Sequence, residues 1–409
     1  MKALLPPYAT AIAAFLLGFT PLLQAQTIPN PSFEADTFTN SPGYVSGNGP
    51  ITSWAGDPAT AYGLNPSGGS PFANNGVVPD GTNAAFLQHS GSFTSISNTI
   101  SGLTAGQPYR LQFRTTARSG NNPLLRVNID GTTKLLSRVN GVGVNSPYRY
   151  VILSFNATGS TAEFQLFNEA APDNTVVVDD FRVFAGASNW TASAWADDAT
   201  TSLPTGHRYT HAYNFGSSAS PVINQVGFTG APGASPAVAG RFALTGQNLQ
   251  FTGDANNLAE ASRALANDFV YNGQPATLTL SGLTAGRDYT LTLYSVGWEV
   301  PGNRWITFRH GTNGGTFDQN TFDNNNGIVF SCSYTADANG TAIFEMGPVS
   351  GASFHLYGFA NRESAPLTNA LPTFSTPPPS ISAFTGAEAF FSIGVTGSAP
   401  ITYRGSATE

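Results

Sequence analysis

Apolar and polar residues alternate with a period of two in many short segments of this chain. The clearest case lies in a stretch that occurs twice, as ISGLTAGQPYRLQF at residues 100–113 and as LSGLTAGRDYTLTL at residues 280–293. The apolar positions after the shared Thr-Ala-Gly turn are Tyr109, Leu111 and Phe113 in the first copy and Tyr289, Leu291 and Leu293 in the second. This pattern predicts, in each of two related domains, a strand of a β-sandwich that is buried on one face.

Turn signals separate the other strand-like segments. Asp130-Gly131 lies between two such segments and predicts a hairpin turn, because glycine accepts the positive φ that these turns require. Residues 257–267 place apolar side chains near helical spacing, which predicts one short helix. We therefore expect an all-β fold, with two tandem jelly-roll-like β-sandwich domains followed by an incomplete immunoglobulin-like module.

The composition supports a β-rich chain. Charged residues make up 10% of the sequence, against roughly 25% in an average soluble protein, whereas glycine (44) and proline (28) are abundant. Long solvated helices need charged surfaces, so turns and strands are favoured. Cys332 is the only cysteine, which leaves no disulfide within the chain. Each domain must therefore be held together by its own hydrophobic core.

The N-terminus has the features of an export signal. Lys2 precedes an apolar run over residues 9–20, and Ala25 offers a small residue for signal peptidase. The run is shorter than the ~20 residues of a membrane-spanning helix. We predict cleavage after Ala25 and no membrane insertion of the mature chain; a retained N-terminal anchor is the alternative.

Changes in composition divide the rest of the chain. We predict a signal peptide at 1–25, a jelly-roll β-sandwich domain at 26–187, a second β-sandwich domain at 188–363, a Pro-rich linker at 364–379 and a truncated immunoglobulin-like module at 380–409. The last segment is too short to bury a sandwich core by itself.

Two motifs at the ends of the first domain carry a family resemblance. NPSFE at residues 30–34 and VDDFRV at residues 178–183 resemble the frame of galactose-binding-like jelly rolls, which is common among carbohydrate-binding modules. The resemblance implies a structural Ca²⁺ held by Glu34 and Asp179, with Asp180 as the alternative ligand. Backbone carbonyls or water would complete the shell of 6 to 8 oxygens that calcium prefers. The competing interpretation is that these acids only cap strand ends.

The wider chain resembles secreted β-sandwich proteins of bacteria. The segment TGSAPITY near the C-terminus resembles the start of a bacterial immunoglobulin-like domain. In that family a core tryptophan follows, whereas Arg404 and Gly405 stand here.

Sugar recognition combines aromatic faces with planar polar side chains. Our candidate ligand contacts are Trp54, Tyr62, Phe72, Arg114, Arg118 and Asn121. Trp298 and Trp305 flank a polar loop in the second domain and are open to the same two interpretations, ligand contact or packing. Most aromatic side chains pack in cores, so each of these has a structural alternative.

Two further groups of residues are better explained by a structural role than by metal binding. His207 and His211 have the spacing of a metal pair, but the glutamate of a zincin motif is absent, so a row of strand side chains is the preferred interpretation. Asp318, Asp323 and residues 324–326 superficially resemble a calcium loop but lack the EF-hand order, which favours an asparagine-rich turn.

Catalysis is the least favoured function. Glu299 and Glu345 are the candidate acid pair of a glycosidase, and the sequence contains no G-x-S-x-G nucleophile motif. The net charge of −7, without a basic stripe, disfavours nucleic acid and anionic membranes as partners. We predict a non-catalytic binding or adhesion protein, extracellular, on the cell surface or in the periplasm, directed at polysaccharide or a cell-surface glycan. The alternatives are a structural spacer and a glycoside-active enzyme.

Overall fold

The computed structural model describes residues 25–89, 91–170, 173–367, 373–376 and 394–396. The predicted signal peptide, apart from Ala25, lies outside the described residues. So does nearly all of the predicted immunoglobulin-like module, of which one strand of a two-stranded pair is described, with its partner in the linker. That module stays a prediction.

The first half of the chain forms a sandwich of two five-stranded antiparallel sheets. Its strands are β1 (Ala55–Asp57), β2 (Tyr62–Pro66), β3 (Asn83–His89), β4 (Thr94–Ser101), β5 (Pro108–Ala117), β6 (Leu124–Ile129), β7 (Thr132–Arg138), β8 (Arg149–Asn156), β9 (Thr161–Asn168) and β10 (Asn174–Ala185). One sheet has the order β1-β4-β9-β6-β7 and the other the order β2-β3-β10-β5-β8. A short helix, α1 (Val45–Asn48), precedes β1. We call this unit the first sandwich.

The second sandwich follows after a short connection. Its strands are β11 (Trp190–Trp195), β12 (His207–Phe215), β13 (Val222–Ile223), β14 (Val226–Gly227), β15 (Thr229–Ala231), β16 (Ala237–Val238), β17 (Phe242–Thr245), β18 (Leu249–Thr252), β19 (Asp268–Asn272), β20 (Ala276–Leu280), β21 (Asp288–Val296), β22 (Trp305–His310), β23 (Asn313–Asp318), β24 (Gly327–Thr335), β25 (Ala342–Pro348), β26 (Phe354–Leu356) and β27 (Gly358–Pro366). A 3₁₀ turn spans Asp198–Thr200, and a helix, α2, spans Glu260–Leu265. The described C-terminal pieces are β28 (Thr373–Thr376) and β29 (Gly394–Thr396).

Two six-stranded sheets form the body of the second sandwich. Their orders are β11-β24-β21-β27-β12-β15 and β16-β17-β20-β25-β22-β23. A three-stranded sheet, β18-β19-β26, and the pair β13-β14 complete the unit. The all-β sandwich class predicted from the sequence is thus confirmed.

The repeated segment forms equivalent strands, β5 and β21. In both copies the tyrosine that begins the alternation accepts a hydrogen bond at its hydroxyl from the threonine backbone N–H five residues earlier, at 2.9 Å for Tyr109 and 2.8 Å for Tyr289. This contact fixes the turn against the strand. The predicted inward side chains Leu111 and Leu291 are fully buried.

The expectation that these strands are buried on one face only is wrong. Arg110 and Gln112, on the other face of β5, are also buried, and Arg110 Nη1 donates to the Thr312 carbonyl of the second sandwich. In β21 the opposite face carries Tyr294, which packs in a separate hydrophobic cluster with Trp195 and Phe269. The alternation of apolar and polar residues along one strand does not show whether another part of the chain covers its outer face.

The predicted hairpin and helix are both present. Asp130 and Gly131 join β6 to β7 with φ values of 48° and 73°, the signature of a type I′ turn. The helix predicted over residues 257–267 is shorter and forms as α2. Asn256 accounts for the difference, since its side chain hydrogen-bonds the backbone at both ends of the segment.

The two sandwiches pack directly against each other. The edge strand β8 lies against β22, β23 and β25 of the second sandwich. The Ile152 N–H donates to Thr316 Oγ1 at 2.8 Å, and Thr307 Oγ1 donates to the Tyr150 carbonyl at 2.6 Å. Val349 of the second sandwich belongs to the hydrophobic core of the first. The outer face of the sheet that contains β5 and β8 is thus buried by the second sandwich along β8.

Candidate functional site

A cleft of about 170 Å³ lies where the two sandwiches meet. We call it the inter-sandwich cleft. Its lining residues are Arg114, Pro147, Tyr148, Arg149, Tyr150, Pro275, Ala276, Thr277, Thr307, Arg309, Glu345, Met346 and Gly347. It is therefore built by β5 and β8 from one sandwich and by β22 and β25 from the other.

The mouth of this cleft is organised by one tyrosine between two arginines. The Cζ atoms of Arg114 and Arg309 lie 3.5 Å and 3.7 Å from the centroid of the Tyr150 ring. Two guanidinium groups at these distances occupy opposite ring faces, a cation–π arrangement on each side. Arg309 is further held by Glu345 at 2.6 Å. Burial lowers the pKa of Arg114.

Arg149 lies deeper in the same cleft. Its Nη1 donates to the backbone carbonyls of Gly273 and Pro348, so it links the first sandwich to the second. The residue is 6% exposed, and burial lowers the pKa of its guanidinium to about 10. It carries a positive charge at neutral pH.

A second and larger cleft, of about 390 Å³, lies on the second sandwich beside β12. We call it the β12 cleft. Its lining residues are Tyr209, Thr210, His211, Ala212, Tyr213, Gln225, Val226, Gly227, Thr229 and Arg241. Most of its accessible lining is polar.

Two planar polar side chains of the β12 cleft are free to contact a ligand. Gln225 and Arg241 are exposed, and neither side chain forms a hydrogen bond or ion pair with the described residues. Gln225 is held in the left-handed region, with φ of 68°, in the turn between β13 and β14. A non-glycine residue there stores strain of roughly 1–3 kcal/mol, a feature that clusters at functional sites.

The aromatic side of the β12 cleft is fixed by packing. Tyr213 stacks on Phe359 with ring centroids 5.6 Å apart, and the Tyr209 hydroxyl donates to the Pro204 carbonyl at 2.9 Å. His211 is buried behind them, and burial lowers the pKa of its imidazole. Sequence reasoning identified this His/Tyr row but missed Gln225 and Arg241, because they come from separate turns and share no motif.

The three aromatic residues predicted to stack on a ligand lie in the core of the first sandwich. Trp54, Tyr62 and Phe72 are 5%, 4% and 1% exposed. Trp54 packs among other rings, and Phe72 stacks on Phe86 with ring centroids 4.0 Å apart. Their burial does not fit the predicted role, because a sugar ring cannot reach these faces.

The polar side chains predicted to contact a ligand also lie in different surroundings. Arg118 pairs with Asp173 at 3.3 Å, and Asn121 Oδ1 accepts a hydrogen bond from the Thr175 N–H at 2.9 Å. Both side chains hold the segment that leads into β10. Arg114 lines the inter-sandwich cleft.

The residues of the calcium prediction differ in their surroundings. Glu34 accepts hydrogen bonds from the Thr82 N–H, the Thr82 hydroxyl and the Asn83 N–H. Asp179 is fully buried, and its Oδ2 accepts from the Asp80 N–H at 3.0 Å. The other oxygen, Oδ1, has no partner among the described residues, and desolvation raises the pKa of this carboxyl to about 8.

Asp180 points elsewhere, because β10 has a bulge between Asp179 and Arg182 that redirects its side chains. It pairs with Arg182 at 2.6 Å and with Arg114 at 3.8 Å. Within the described ranges no group of three or more His, Cys, Asp or Glu side chains could hold a metal ion. A cation at Asp179 would therefore depend on carbonyl or water ligands, and the unpartnered Oδ1 is the observation that favours one.

The two glutamates considered as a catalytic pair have different partners. Glu299 pairs with Arg304 at 2.8 Å, and Glu345 pairs with Arg309 at 2.6 Å. Glu345 lines the inter-sandwich cleft, whereas Glu299 does not. The structure thus does not bring both carboxylates into one cleft.

The remaining candidates have structural contacts. His207 Nδ1 lies 3.0 Å from the Glu363 carbonyl, and His211 Nε2 lies 3.0 Å from that of Arg241. Asp318 accepts from the backbone N–H groups of Gly302 and Asn320, as the turn interpretation predicts.

Trp298 and Trp305 are partly buried. Trp298 packs edge-on against His355 with ring centroids 4.8 Å apart. Trp305 packs against the core of the first sandwich. Neither ring lines one of the two clefts.

In the part of the chain that the structure describes, no helix is long and apolar enough to cross a membrane.

Comparisons with known proteins give similarities at the level of solved structures. No protein-family model and no curated protein matches the chain. The ANX1 ectodomain from Arabidopsis thaliana is similar over 69% of this chain and 83% of its own, with 9% identity and a TM-score of 0.31. The plant receptor-like kinase FER is similar over 74% of this chain and 87% of its own, with 11% identity and a TM-score of 0.31. TmCBM61 in complex with beta-1,4-galactotriose is similar over 38% of this chain and 96% of its own, with 20% identity and a TM-score of 0.25.

Proposed function

We propose that this protein is an exported, non-catalytic glycan-binding protein and that the glycan binds in the β12 cleft. The observation that carries the proposal is the combination of the half-buried Tyr209 ring with two exposed planar polar side chains, Gln225 and Arg241, that form no hydrogen bond or ion pair with the described residues. Sugars present hydroxyl groups around an apolar ring face, which this combination matches. The cleft volume of about 390 Å³ falls in the range of ~300–1,000 Å³ typical of small-molecule sites.

The non-catalytic part of the proposal rests on the carboxylates. Glycoside hydrolysis requires two carboxyl groups on either side of one bond. Glu299 and Glu345 are each neutralised by their own arginine, and the lining of the β12 cleft contains no carboxylate. The cleft can hold a sugar but offers no acid to protonate a glycosidic oxygen.

The first test is glycan binding by the full chain and by Arg241→Ala. We expect an array of neutral plant and bacterial polysaccharides to yield a ligand, and Arg241→Ala to weaken its binding at least tenfold, because hydrogen bonds from a charged donor contribute about 1.5–3 kcal/mol. Isothermal titration measures the change. Arg263→Ala, an exposed arginine on α2 outside the cleft, is the matched control and should bind as the wild type does.

Two results would contradict the proposal. One is unchanged affinity of Arg241→Ala for a glycan that the wild type binds. The other is the absence of binding to every polysaccharide on the array, which would favour the structural spacer predicted as the alternative.

We also propose a structural calcium ion at Asp179 in the first sandwich. We expect chelation to lower the melting temperature of the full chain by about 5–10 °C, since a ligand at 100 times its Kd stabilises the folded state by about 2.7 kcal/mol. Asp179→Asn should abolish the difference between calcium and chelator, as measured by calorimetry. Glu163→Gln, an exposed strand residue, should retain it. Identical melting curves of the wild type with and without chelator would exclude the ion.

A further inference from the structure

The β12 cleft has a neighbour on the second sandwich. A cleft of about 210 Å³ lies beside β17 and β20, and we call it the β17 cleft. Arg241 lines both clefts. The β17 cleft alone is smaller than the ~300–1,000 Å³ typical of small-molecule sites, so it is better explained as a continuation of the β12 cleft than as a separate site.

The buried imidazole of His211 joins the walls of the two clefts. Its Nε2 lies 3.0 Å from the Arg241 carbonyl and 3.2 Å from the Ser281 carbonyl. His211 lines the β12 cleft, whereas Ser281 lines the β17 cleft. These contacts fix the chain just before β17 and just after β20 against β12. The two clefts therefore adjoin, and we call the pair the extended groove.

Arg241 lies at the junction of the extended groove. Its backbone N–H donates to the Val238 carbonyl at 2.9 Å across a tight turn, in which Gly240 has a φ of 70°. Burial raises the pKa of Tyr213, and the charge of Arg241 acts in the opposite direction, so the guanidinium lies near the Tyr213 hydroxyl. A guanidinium has five N–H donors in a rigid fork, enough to bond hydroxyl groups of two adjacent sugar units.

Small side chains form the floor of the β17 cleft. Ala237 pairs with Ala243, and Ala243 pairs with Thr279, in a row that crosses β16, β17 and β20. All three residues line the cleft. With neighbouring strands about 4.8 Å apart, the row is roughly 10 Å long. Side chains of this size leave the row open, so the apolar face of a sugar ring can lie on it.

The polar groups beside this floor are available to a ligand. Thr279 and Ser281 are both partly exposed, and neither hydroxyl forms a hydrogen bond with the described residues. Each hydroxyl can both donate and accept a hydrogen bond, as the hydroxyl groups of a sugar require. They extend into the β17 cleft the set of free polar side chains that Gln225 and Arg241 provide in the β12 cleft.

We propose that the extended groove binds an internal stretch of a linear neutral polysaccharide, with at least one sugar unit in each cleft and Arg241 between them. This inference rests on the function proposed above and names its ligand more closely, as a chain rather than a single sugar. Both clefts are open to solvent rather than enclosed. A polysaccharide chain can therefore continue beyond the groove at either end.

The test titrates the full chain with glucose, xylose, mannose and galactose and with the linear oligomers of each sugar. In the series that binds, we expect the affinity to rise about tenfold from the single sugar to the longer oligomers, because the β17 cleft adds hydrogen bonds. Equal affinity along the series would overturn the proposal. The intact polysaccharide should bind several protein molecules per chain, and one protein per chain would overturn the assignment to an internal stretch.

Thr279→Val is the decisive variant, because it keeps the shape of the side chain and removes a hydroxyl that has no partner among the described residues. We expect it to weaken the longer oligomers about three- to tenfold and to leave the single sugar unchanged. Gln225→Ala, in the β12 cleft, should weaken every member of the series by the same factor. Thr99→Val, an exposed threonine on β4, is the matched control and should bind as the wild type does. Wild-type affinity of Thr279→Val for the longer oligomers would refute the second cleft.

Ala243→Trp tests the same cleft by filling it. We expect this variant to bind the longer oligomers no more tightly than the single sugar. Ala192→Trp, on the exposed part of β11, is the matched control and should keep the gain in affinity with length. A gain that persists in Ala243→Trp would show that the chain does not follow β17. Melting curves report whether the variant folds, and Thr279→Val decides the question if it does not.

The same titrations distinguish a failure of this inference from a failure of the proposed function. Binding of a single sugar that Arg241→Ala weakens, without any gain in affinity with length, would overturn the extended groove and leave the β12 cleft as the glycan site. The absence of binding by every sugar, oligomer and polysaccharide would overturn both.

Discussion

Trp54→Ala is expected to lower the free energy of unfolding by about 3–5 kcal/mol, the range measured when large aromatic side chains are truncated in cores. The indole packs against the rings of Phe33, Phe164 and Phe181 at centroid distances of 4.8, 5.6 and 5.0 Å. Its Nε1 also donates to the Asn30 carbonyl at 2.9 Å. Urea unfolding followed by circular dichroism measures the change.

The matched control is Phe93→Ala, which truncates an aromatic side chain that is 59% exposed. It should change the stability by no more than about 0.5 kcal/mol. If Trp54→Ala instead retained wild-type stability and abolished glycan binding, Trp54 would be a ligand contact, as the sequence alone suggested.

Acid is expected to destabilise the second sandwich through His355. Burial lowers the pKa of this imidazole from 6.5 to about 3. The charge of Arg304 is the smaller contribution to this lowered pKa, while Ser353 Oγ lies 3.0 Å from Nε2 and Phe269 stacks on the ring. The unfolded chain therefore binds a proton at this group over a pH range in which the folded chain does not.

The sign of the pH dependence follows from this difference. The contribution of neutral His355 to stability is complete above pH 6.5 and is lost as the pH falls from 6.5 towards 3. The loss over that range reaches about 4–5 kcal/mol at most. Urea midpoints measured between pH 3 and pH 8 should show this slope, and His355→Gln should flatten it. The same slope in wild type and variant would assign it to other groups.

The strands were predictable from the sequence, but their environments were not. The alternation after residue 100 correctly placed Leu111 inside. It could not indicate that Arg110, on the other face, is also covered, because the covering strands come from the second sandwich. A charged side chain in an alternating strand is predicted to be exposed unless the surface that packs against the strand is known.

The candidate site shows the same limit. Arg114 was among the predicted contacts, yet its surroundings depend on Arg309 and Tyr150, which no local pattern links to it. Trp54 looks accessible in the sequence because it lies in a loop-rich stretch, whereas the structure buries it. Its place in the core depends on Phe33, Phe164 and Phe181, whose rings surround it although they lie apart from it along the chain.

The way β8 is buried also bears on whether either sandwich could be used separately. The two sandwiches carry related 14-residue segments that agree at eight positions, yet they present different surfaces to each other. Separating the two halves would expose Ile152 on the first and Val349 on the second, since both are buried only in the joined chain. A graft of either half into another protein would therefore need polar replacements on the surface that its neighbour now covers.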